Sequence, residues 1–168
     1  MENRYIVIQE AKDGLTGDWG KEGNMRILVD ADAAPRSVKH IISRVAKERS
    51  FPVTMFTDTS HFLDDSYDEV VTVDKQRDSV DMALINRTLA GDIVVTQDYG
   101  LAALALGKGA RVLNQNGLVY TAKNIDKLLL ERHISQKVRR AGGRTAGPPK
   151  RTREDDEKFE VSFRKLIE

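Results

Sequence analysis

The sequence predicts an α/β fold: a three-layer arrangement with a mainly parallel central sheet flanked by helices. Short, continuously apolar segments alternate along the chain with segments whose apolar residues recur at helical spacing. Two of the apolar segments end in an aspartate-containing turn, at the edge where ligands bind in parallel sheets. The length of 168 residues suits a single core of ordinary size.

The composition is typical of a soluble globular protein. Apolar residues make up 40% of the chain and charged residues 32%. No run approaches the roughly 20 apolar residues of a spanning helix, and the first residues lack the order of a secretory signal. We therefore expect a cytoplasmic protein with no membrane partner. Cysteine is absent, which excludes disulfides, thiolate nucleophiles and thiolate-held zinc.

The chain divides into a weakly patterned leader and a well-patterned domain. Residues 1–24 contain one weak strand pattern at 5–8, followed by a Gly-rich polar run. We interpret residues 1–24 as an N-terminal extension, either non-native or disordered. Residues 25–168 are predicted to form the α/β domain.

Strands and helices are predicted to alternate through this domain. The strands are predicted at 26–29, 53–57, 70–73, 93–96 and 110–113. The helices are predicted from Pro35 onward and over 79–90, 101–106 and 124–140. The basic Gly- and Pro-rich residues 141–153 cannot continue a helix and are predicted to be a linker. A C-terminal amphipathic helix is predicted over 153–168.

Asp30 is the strongest candidate for a site residue. It directly continues the apolar run at 27–29, where a lone carboxylate has few natural partners. Asp98 follows the strand at 93–96 through an acidic turn. Because the carboxyl ends of parallel strands meet at one edge of a sheet, both side chains are expected in one crevice.

Three further aspartates, Asp32, Asp78 and Asp81, are predicted to join this crevice. Each has a structural alternative, since Asp32, Asp78 and Asp98 could cap helices and Asp81 could be the reciprocal partner of Asp78. Two carboxylates about 4 Å apart repel by roughly 4 kcal/mol at an effective dielectric of 20, so a cation is expected. Oxygen ligands select hard ions, which indicates Mg²⁺ or Mn²⁺. Thr96 is either a supporting group or an ordinary strand threonine.

A basic segment follows the predicted domain core. Between residues 131 and 153, Glu131 is the only acidic residue among eight basic ones. This pattern favours a polyanion partner, with a solvated helix face and flexible arm as the alternative. The predicted nucleic-acid contacts are Arg139, Arg140, Arg144, Lys150 and Arg151.

An ordered set of motifs carries a family resemblance. The motifs are VDADAAP at 29–35, DSVD at 78–81, GDIVVTQD at 91–98 and KGA at 108–110. Together they resemble the YaiI/YqxD family of small uncharacterised bacterial proteins, regarded as distant relatives of PIN and NYN nuclease domains. The resemblance implies a PIN-like sheet with the acidic cluster Asp30, Asp32, Asp78, Asp81 and Asp98. Family members usually have cysteine where this chain has Ala34, so a thiol role there is excluded.

Three functions fit these observations. The first is a metal-dependent, endoribonuclease-like hydrolase acting on RNA in preference to DNA. In it, Asp30, Asp81 and Asp98 are metal ligands and Asp32 and Asp78 are supporting groups; the nuclease activity rests on analogy with the superfamily. The second is a non-catalytic nucleic-acid-binding or regulatory protein of the same fold. The third is a haloacid-dehalogenase-like phosphatase with Asp30 as nucleophile, because residues 27–32 resemble the first motif of those enzymes. No particular oligomeric state is predicted.

Overall fold

The computed structural model describes residues 4–8, 25–58, 69–74 and 79–168, and for 4–8 it describes the backbone only. Asp78 of the predicted cluster therefore lies outside the described residues. The strands are β1 (Arg4–Ile8), β2 (Ile27–Asp30), β3 (Val53–Asp58), β4 (Glu69–Val73), β5 (Ile93–Val95), β6 (Arg111–Leu113) and β7 (Val119–Tyr120). The helices are α1 (Arg36–Arg49), α2 (Val80–Arg87), α3 (Tyr99–Gly107), α4 (Ala122–Arg140) and α5 (Arg153–Leu166).

These strands form one sheet in the order β1-β4-β3-β2-β5-β6-β7. All neighbours are parallel except β6 and β7, which pair antiparallel. From β2 the chain proceeds to β3 and β4 on one side, and then returns to add β5 on the other side of β2. The strand order thus reverses between β2 and β5, and in open α/β sheets the crevice beyond such a reversal is where ligands bind.

The sheet is covered on both faces, which confirms the predicted three-layer α/β fold. Ile27 and Val29 of β2 pack in one apolar cluster with residues of α1 and α5. Leu28, which points to the opposite face, packs with residues of α2, α3 and α4. A strand buried on both faces needs the continuous apolar sequence that β2 has.

The C-terminal helix α5 is part of the domain core, as its amphipathic pattern predicted. Thr152 and Asp155 form a reciprocal capping box at its start. Phe159 and Phe163 are completely buried against the face that α1 also covers. Their rings stack with centroids 5.6 Å apart.

Several boundaries differ from the predicted ones because of local capping. The side chain of Asp98 accepts a hydrogen bond from the N–H of Leu101, so α3 begins two residues earlier than predicted. Thr121 and Asn124 form a capping box that starts α4 at Ala122. The short strand β7 was not predicted. The turn before it contains Gly117, at φ +81°, where an added Cβ would lie 2.8 Å from the carbonyl oxygen of Lys158.

Part of the predicted N-terminal extension belongs to the sheet. Arg4–Ile8 forms the edge strand β1, paired parallel with β4 in the register Arg4 to Glu69. The weak strand pattern at 5–8 indicated this element. Among the described helices, none is both long and apolar enough to span a membrane.

Candidate functional site

Asp30 lies at the carboxyl end of β2, next to the point where the strand order reverses. Its side chain is buried, with 7% of the residue exposed. The hydroxyl of Thr96, which directly follows the neighbouring strand β5, donates a hydrogen bond to Asp30 Oδ2 at 3.1 Å. The parallel pairing of Val29 with Val95 places these two residues beside each other. Thr96, for which the sequence leaves a supporting role and an ordinary strand position open, therefore lies in contact with Asp30.

The pKa of Asp30 is raised to about 6, mainly by burial, although the hydrogen bond from Thr96 opposes this rise. The negative charges of Asp81, Asp32 and Asp98 also contribute to the raised pKa of Asp30. Each of these three carboxylates therefore lies near enough to act on the charge of Asp30. The fold brings together four of the five aspartates that the sequence singled out.

Asp98 has both a structural and an electrostatic part in this arrangement. Its Oδ1 accepts the N–H of Leu101 at 3.0 Å and so caps α3, as the structural alternative predicted. Its own backbone N–H donates to Thr96 Oγ1 at 3.0 Å. The Thr96 hydroxyl therefore links the carboxylate at the end of β2 to the turn after β5.

Asp81 reaches the site from the first turn of α2. The N-cap of this helix is Ser79, whose hydroxyl accepts the N–H of Met82 at 3.1 Å. The N-cap position of this helix is therefore Ser79, and the alternative role of Asp78 as a cap lies outside the described residues. Burial raises the pKa of Asp81, and the charge of Asp98 raises it further. Asp81 therefore lies near enough to Asp98 and to Asp30 for the charges of these carboxylates to interact.

Asp32 is exposed, unlike Asp30, Asp81 and Asp98, and its side chain is held by the end of β3. The hydroxyl of Thr57 donates to Asp32 Oδ1 at 2.6 Å, and the N–H of Asp58 donates to Oδ2 at 3.2 Å. Asp32 does not cap the following helix, because the N-cap of α1 is Pro35, without a side-chain hydrogen bond. The capping alternative for Asp32 is therefore wrong, and Thr57 is a partner that sequence reasoning missed.

An open pocket of about 300 Å³ leads to Asp30 and Asp98. Among the described residues, its remaining lining consists of Ala33, Gln97, Tyr99 and Arg132. Arg132 Nη1 lies 3.7 Å from Asp98 Oδ1. Sequence reasoning counted Arg132 in the basic segment without placing it at the site, since only the packing of α4 on α3 brings it there. Gln97 and Tyr99, adjacent to Asp98, were also missed.

The donor atoms available to a metal here are carboxylate oxygens. Within 4–8, 25–58, 69–74 and 79–168, no three His, Asp or Glu side chains converge in a way that could hold a metal ion. The described aspartates therefore interact electrostatically without forming a complete coordination group. Carboxylate oxygens are the ligands that hard divalent cations prefer. A bound cation of this kind would also reduce the repulsion between the negatively charged aspartates.

The predicted nucleic-acid contacts divide into two groups. Arg139, Arg140, Arg144 and Lys150 are exposed at the end of α4 and in the segment after it, with Arg139 Nε donating to Thr145 Oγ1 at 2.7 Å. Arg151 differs, because its Nε donates to Asp156 and its Nη1 donates to Asn116 at 3.1 Å. Arg151 thus joins the segment to α5 and to the turn before β7, and its side chain is only 18% exposed.

Comparisons with known proteins agree on the relationship of this chain. A family model described as "Uncharacterized BCR, YaiI/YqxD family" matches residues 28–168. A UPF0178 protein of Ruminiclostridium cellulolyticum is 64% identical over 139 residues, covering 83% of this chain and 90% of that protein. A UPF0178 protein of Clostridium acetobutylicum is 52% identical over 145 residues, covering 85% of this chain and 97% of that protein.

No solved structure gives a significant match to the chain. The family match spans β2 to α5 and therefore contains every predicted site residue. The relatives' names state no activity, substrate or cofactor. On the strength of the family model and these relatives, the chain belongs to the uncharacterised YaiI/YqxD family.

Proposed function

We propose that this protein is a divalent-metal-dependent nuclease that hydrolyses phosphodiesters, in RNA in preference to DNA. Asp30, Asp81 and Asp98 are the proposed metal ligands, and Asp32 and Asp78 are the proposed supporting groups. One observation carries the proposal: a buried carboxylate at the reversal of strand order, with three further aspartates acting on its charge.

The electrostatics of the cluster favour a bound cation. An aspartate as buried as Asp30 is costly to ionise, and neighbouring carboxylates increase that cost. Buried carboxylates with a purely structural role are usually paired with a cationic side chain. Several carboxylates that raise one another's pKa at a ligand-binding crevice are instead a candidate functional site. Mg²⁺ or Mn²⁺ supplies, when bound, a lowered pKa for an attacking water and stabilisation of the leaving oxygen.

The residues around the cluster have roles that suit this chemistry. The Thr96 hydroxyl fixes the orientation of the Asp30 carboxylate through its 3.1 Å hydrogen bond. The capping hydrogen bond from Leu101 fixes Asp98, and Thr57 fixes Asp32. Preorganised carboxylates lose little free energy when they bind an ion or orient a water molecule. The exposed cations after α4 supply sequence-independent attraction to a phosphate backbone.

A second candidate function is nucleic-acid binding without turnover. The observation that favours it is that no three carboxylates of the described residues form a complete metal-binding group. The acidic pocket and basic segment would then position a strand without cleaving it. A phosphatase with Asp30 as nucleophile is a third possibility, and it predicts a covalent phosphoryl-aspartate intermediate.

Thermal unfolding with and without Mn²⁺ tests the metal site. Saturating Mn²⁺ is expected to raise the Tm of the parent by roughly 5 to 10 °C, because binding at a hundredfold excess over Kd contributes about 2.7 kcal/mol. Asp30→Asn should lose this rise. Asp126→Asn, an exposed aspartate on α4, should keep it. A parent Tm that is unchanged by Mn²⁺ and by Mg²⁺ would refute the metal site.

Cleavage assays on unstructured oligouridylate and oligodeoxythymidylate then distinguish the candidates. Metal-dependent cleavage that is faster on the RNA supports the proposed nuclease. Stabilisation by metal without cleavage supports the non-catalytic alternative. A phosphoryl group trapped on Asp30 after incubation with a phosphomonoester supports the phosphatase.

A further inference from the structure

Arg132 is a cation in the lining of the acidic pocket, whereas Arg139 and Arg140 lie about two turns further along, at the end of α4. It lines the pocket together with Asp30, Asp98 and Tyr99. No other lysine or arginine belongs to the described lining of this pocket. A single arginine facing several carboxylates is well placed to contact a negatively charged group that enters between them.

The pairing of Arg132 with Asp98 leaves the guanidinium available to a ligand. The shortest distance between the two groups, 3.7 Å, is too long for a direct hydrogen bond. Asp98 Oδ1 already accepts the N–H of Leu101 at 3.0 Å. The Arg132 side chain is 45% exposed, and ion pairs of this exposure contribute little to stability. A phosphate can therefore recruit Arg132 with little loss elsewhere.

Arg132 also begins a track of polar side chains along α4. Gln136 and Arg139 lie four and seven residues further along the helix and are exposed on the same face. Arg132 and Arg139 are separated by two turns, about 10 Å along the axis. Arg139 donates a hydrogen bond to Thr145, and both residues lie within the basic segment. The track thus joins the pocket to the other predicted phosphate contacts.

We propose that Arg132 binds a backbone phosphate of a single nucleic-acid strand, and that the strand leaves the pocket along the Arg132–Arg139 face of α4. This inference rests on the proposed function, which places a phosphodiester beside Asp30. A single strand fits better than a duplex, because Asp30 is only 7% exposed at the inner end of a pocket of about 300 Å³. A single strand can place one backbone phosphate in such a pocket without the unpairing of bases that a duplex would require.

Binding measurements without turnover test this inference. The probe is fluorescein-labelled oligouridylate, its affinity is measured by anisotropy in EDTA, and every chain carries Asp30→Asn so that no cleavage occurs. Adding Arg132→Gln should weaken binding about fivefold to tenfold and lower the salt dependence by about one released ion. Arg139→Gln should act in the same direction. Lys123→Gln, on the opposite face of α4, should leave affinity and salt dependence unchanged.

Unchanged affinity and salt dependence in Arg132→Gln, with an unchanged Tm, would overturn the inference. Equal or tighter binding of a matched RNA duplex would overturn the assignment to a single strand. Oligodeoxythymidylate as a second probe shows whether the contact requires RNA; comparable weakening of both strands by Arg132→Gln supports a phosphate contact. Because binding is measured without turnover, a parent chain that cleaves no substrate would overturn the proposed function alone.

Discussion

The hydroxyl of Thr96 donates a hydrogen bond to Oδ2 of the buried Asp30 at 3.1 Å. The same hydroxyl oxygen accepts the backbone N–H of Asp98 at 3.0 Å. One threonine therefore connects two neighbouring strand ends and holds two of the proposed metal ligands in relation to each other. A hydrogen-bond donor at this position also lowers the free-energy cost of ionising Asp30, which burial and three neighbouring carboxylates increase.

Replacing Thr96 by Val should remove both hydrogen bonds while keeping the shape of the side chain. We expect a loss of about 1–3 kcal/mol in the free energy of unfolding at neutral pH, because a buried carboxylate and an amide lose a partner. The pKa of Asp30 should rise further. Urea unfolding and NMR titration of the Asp30 carboxyl carbon measure the two effects. Thr96→Ser, which keeps the hydroxyl, should remain close to the parent in both.

The raised pKa of Asp30 predicts how metal-free stability depends on pH. The folded chain binds this proton more tightly than the unfolded chain, with a pKa of about 6 against an ordinary aspartate pKa of 3.8. The stabilisation from the bound proton is therefore complete below about pH 4 and is lost as the pH rises through 6. Asn at position 30 cannot ionise, so Asp30→Asn should stabilise the metal-free protein by about 2–3 kcal/mol at pH 7.5.

Urea unfolding in EDTA at pH 4 and at pH 7.5 provides the measurement. The gain from Asp30→Asn should nearly vanish at pH 4, where Asp30 is protonated in the folded chain. Asp126→Asn, at an exposed position, should show no such pH-dependent gain. A stabilisation by Asp30→Asn that is equal at the two pH values would contradict the proposed origin in Asp30 ionisation.

Asp92 gives a test of the difference between a structural and a functional aspartate. It directly precedes β5, at the amino-terminal end of that strand, whereas the site lies at the carboxyl ends of the strands. There Arg26 Nε donates a hydrogen bond to Asp92 Oδ1 at 3.0 Å. The N–H of Leu89 donates to its Oδ2 at 2.8 Å, and the side chain is 4% exposed. Asp92→Asn should destabilise the protein by about 3 kcal/mol, because it removes the negative charge that Arg26 contacts.

The metal response should separate Asp92 from Asp30. The Tm rise caused by Mn²⁺ should be the same in Asp92→Asn as in the parent, although the starting Tm is lower. If Mn²⁺ did not raise the Tm of the folded Asp92→Asn variant, the Tm rise would depend on overall stability and not on the Asp30 cluster.

Phe163 tests whether α5 is an integral part of the domain. Its ring is completely buried in the apolar cluster that contains residues of α1 and the sheet, and it stacks with Phe159. Phe163→Ala should lower the free energy of unfolding by about 3–5 kcal/mol through lost burial and a residual cavity. Val161→Ala, on the same helix but 56% exposed, should change it by less than about 0.5 kcal/mol. Similar values for the two variants in urea unfolding would contradict the observed packing of α5.

The local elements could largely be predicted from the sequence. The buried run at β2, the alternation of strands and helices, and the capped helix α5 all depend on residues close together in the chain. The two-residue strand β7 was missed because its length gives no periodic signal. The first residues of α3 were missed because the start of that helix depends on the capping hydrogen bond of Asp98.

The site could be predicted only in part. Asp30 and Asp98 were identified because each lies at or just beyond the carboxyl end of a strand, which is a local property. Arg132 could not be placed at the site, because its proximity to Asp98 depends on how α4 packs against α3. The support that Thr57 gives to Asp32 likewise depends on the parallel pairing of β2 with β3.

The amino-acid sequence by itself determined the family, the α/β class and the aspartates that follow β2 and β5. Apolar runs, helical spacing and cap residues act over a few neighbours and can therefore be recognised along the chain. Only the tertiary structure decided that β5 lies beside β2, so that Asp30 meets Thr96 and Asp98. Strand order and helix packing arise from contacts between residues far apart in the chain, which local spacing does not specify. That long-range packing turns separate strand-end aspartates into one acidic pocket with an arginine at its wall.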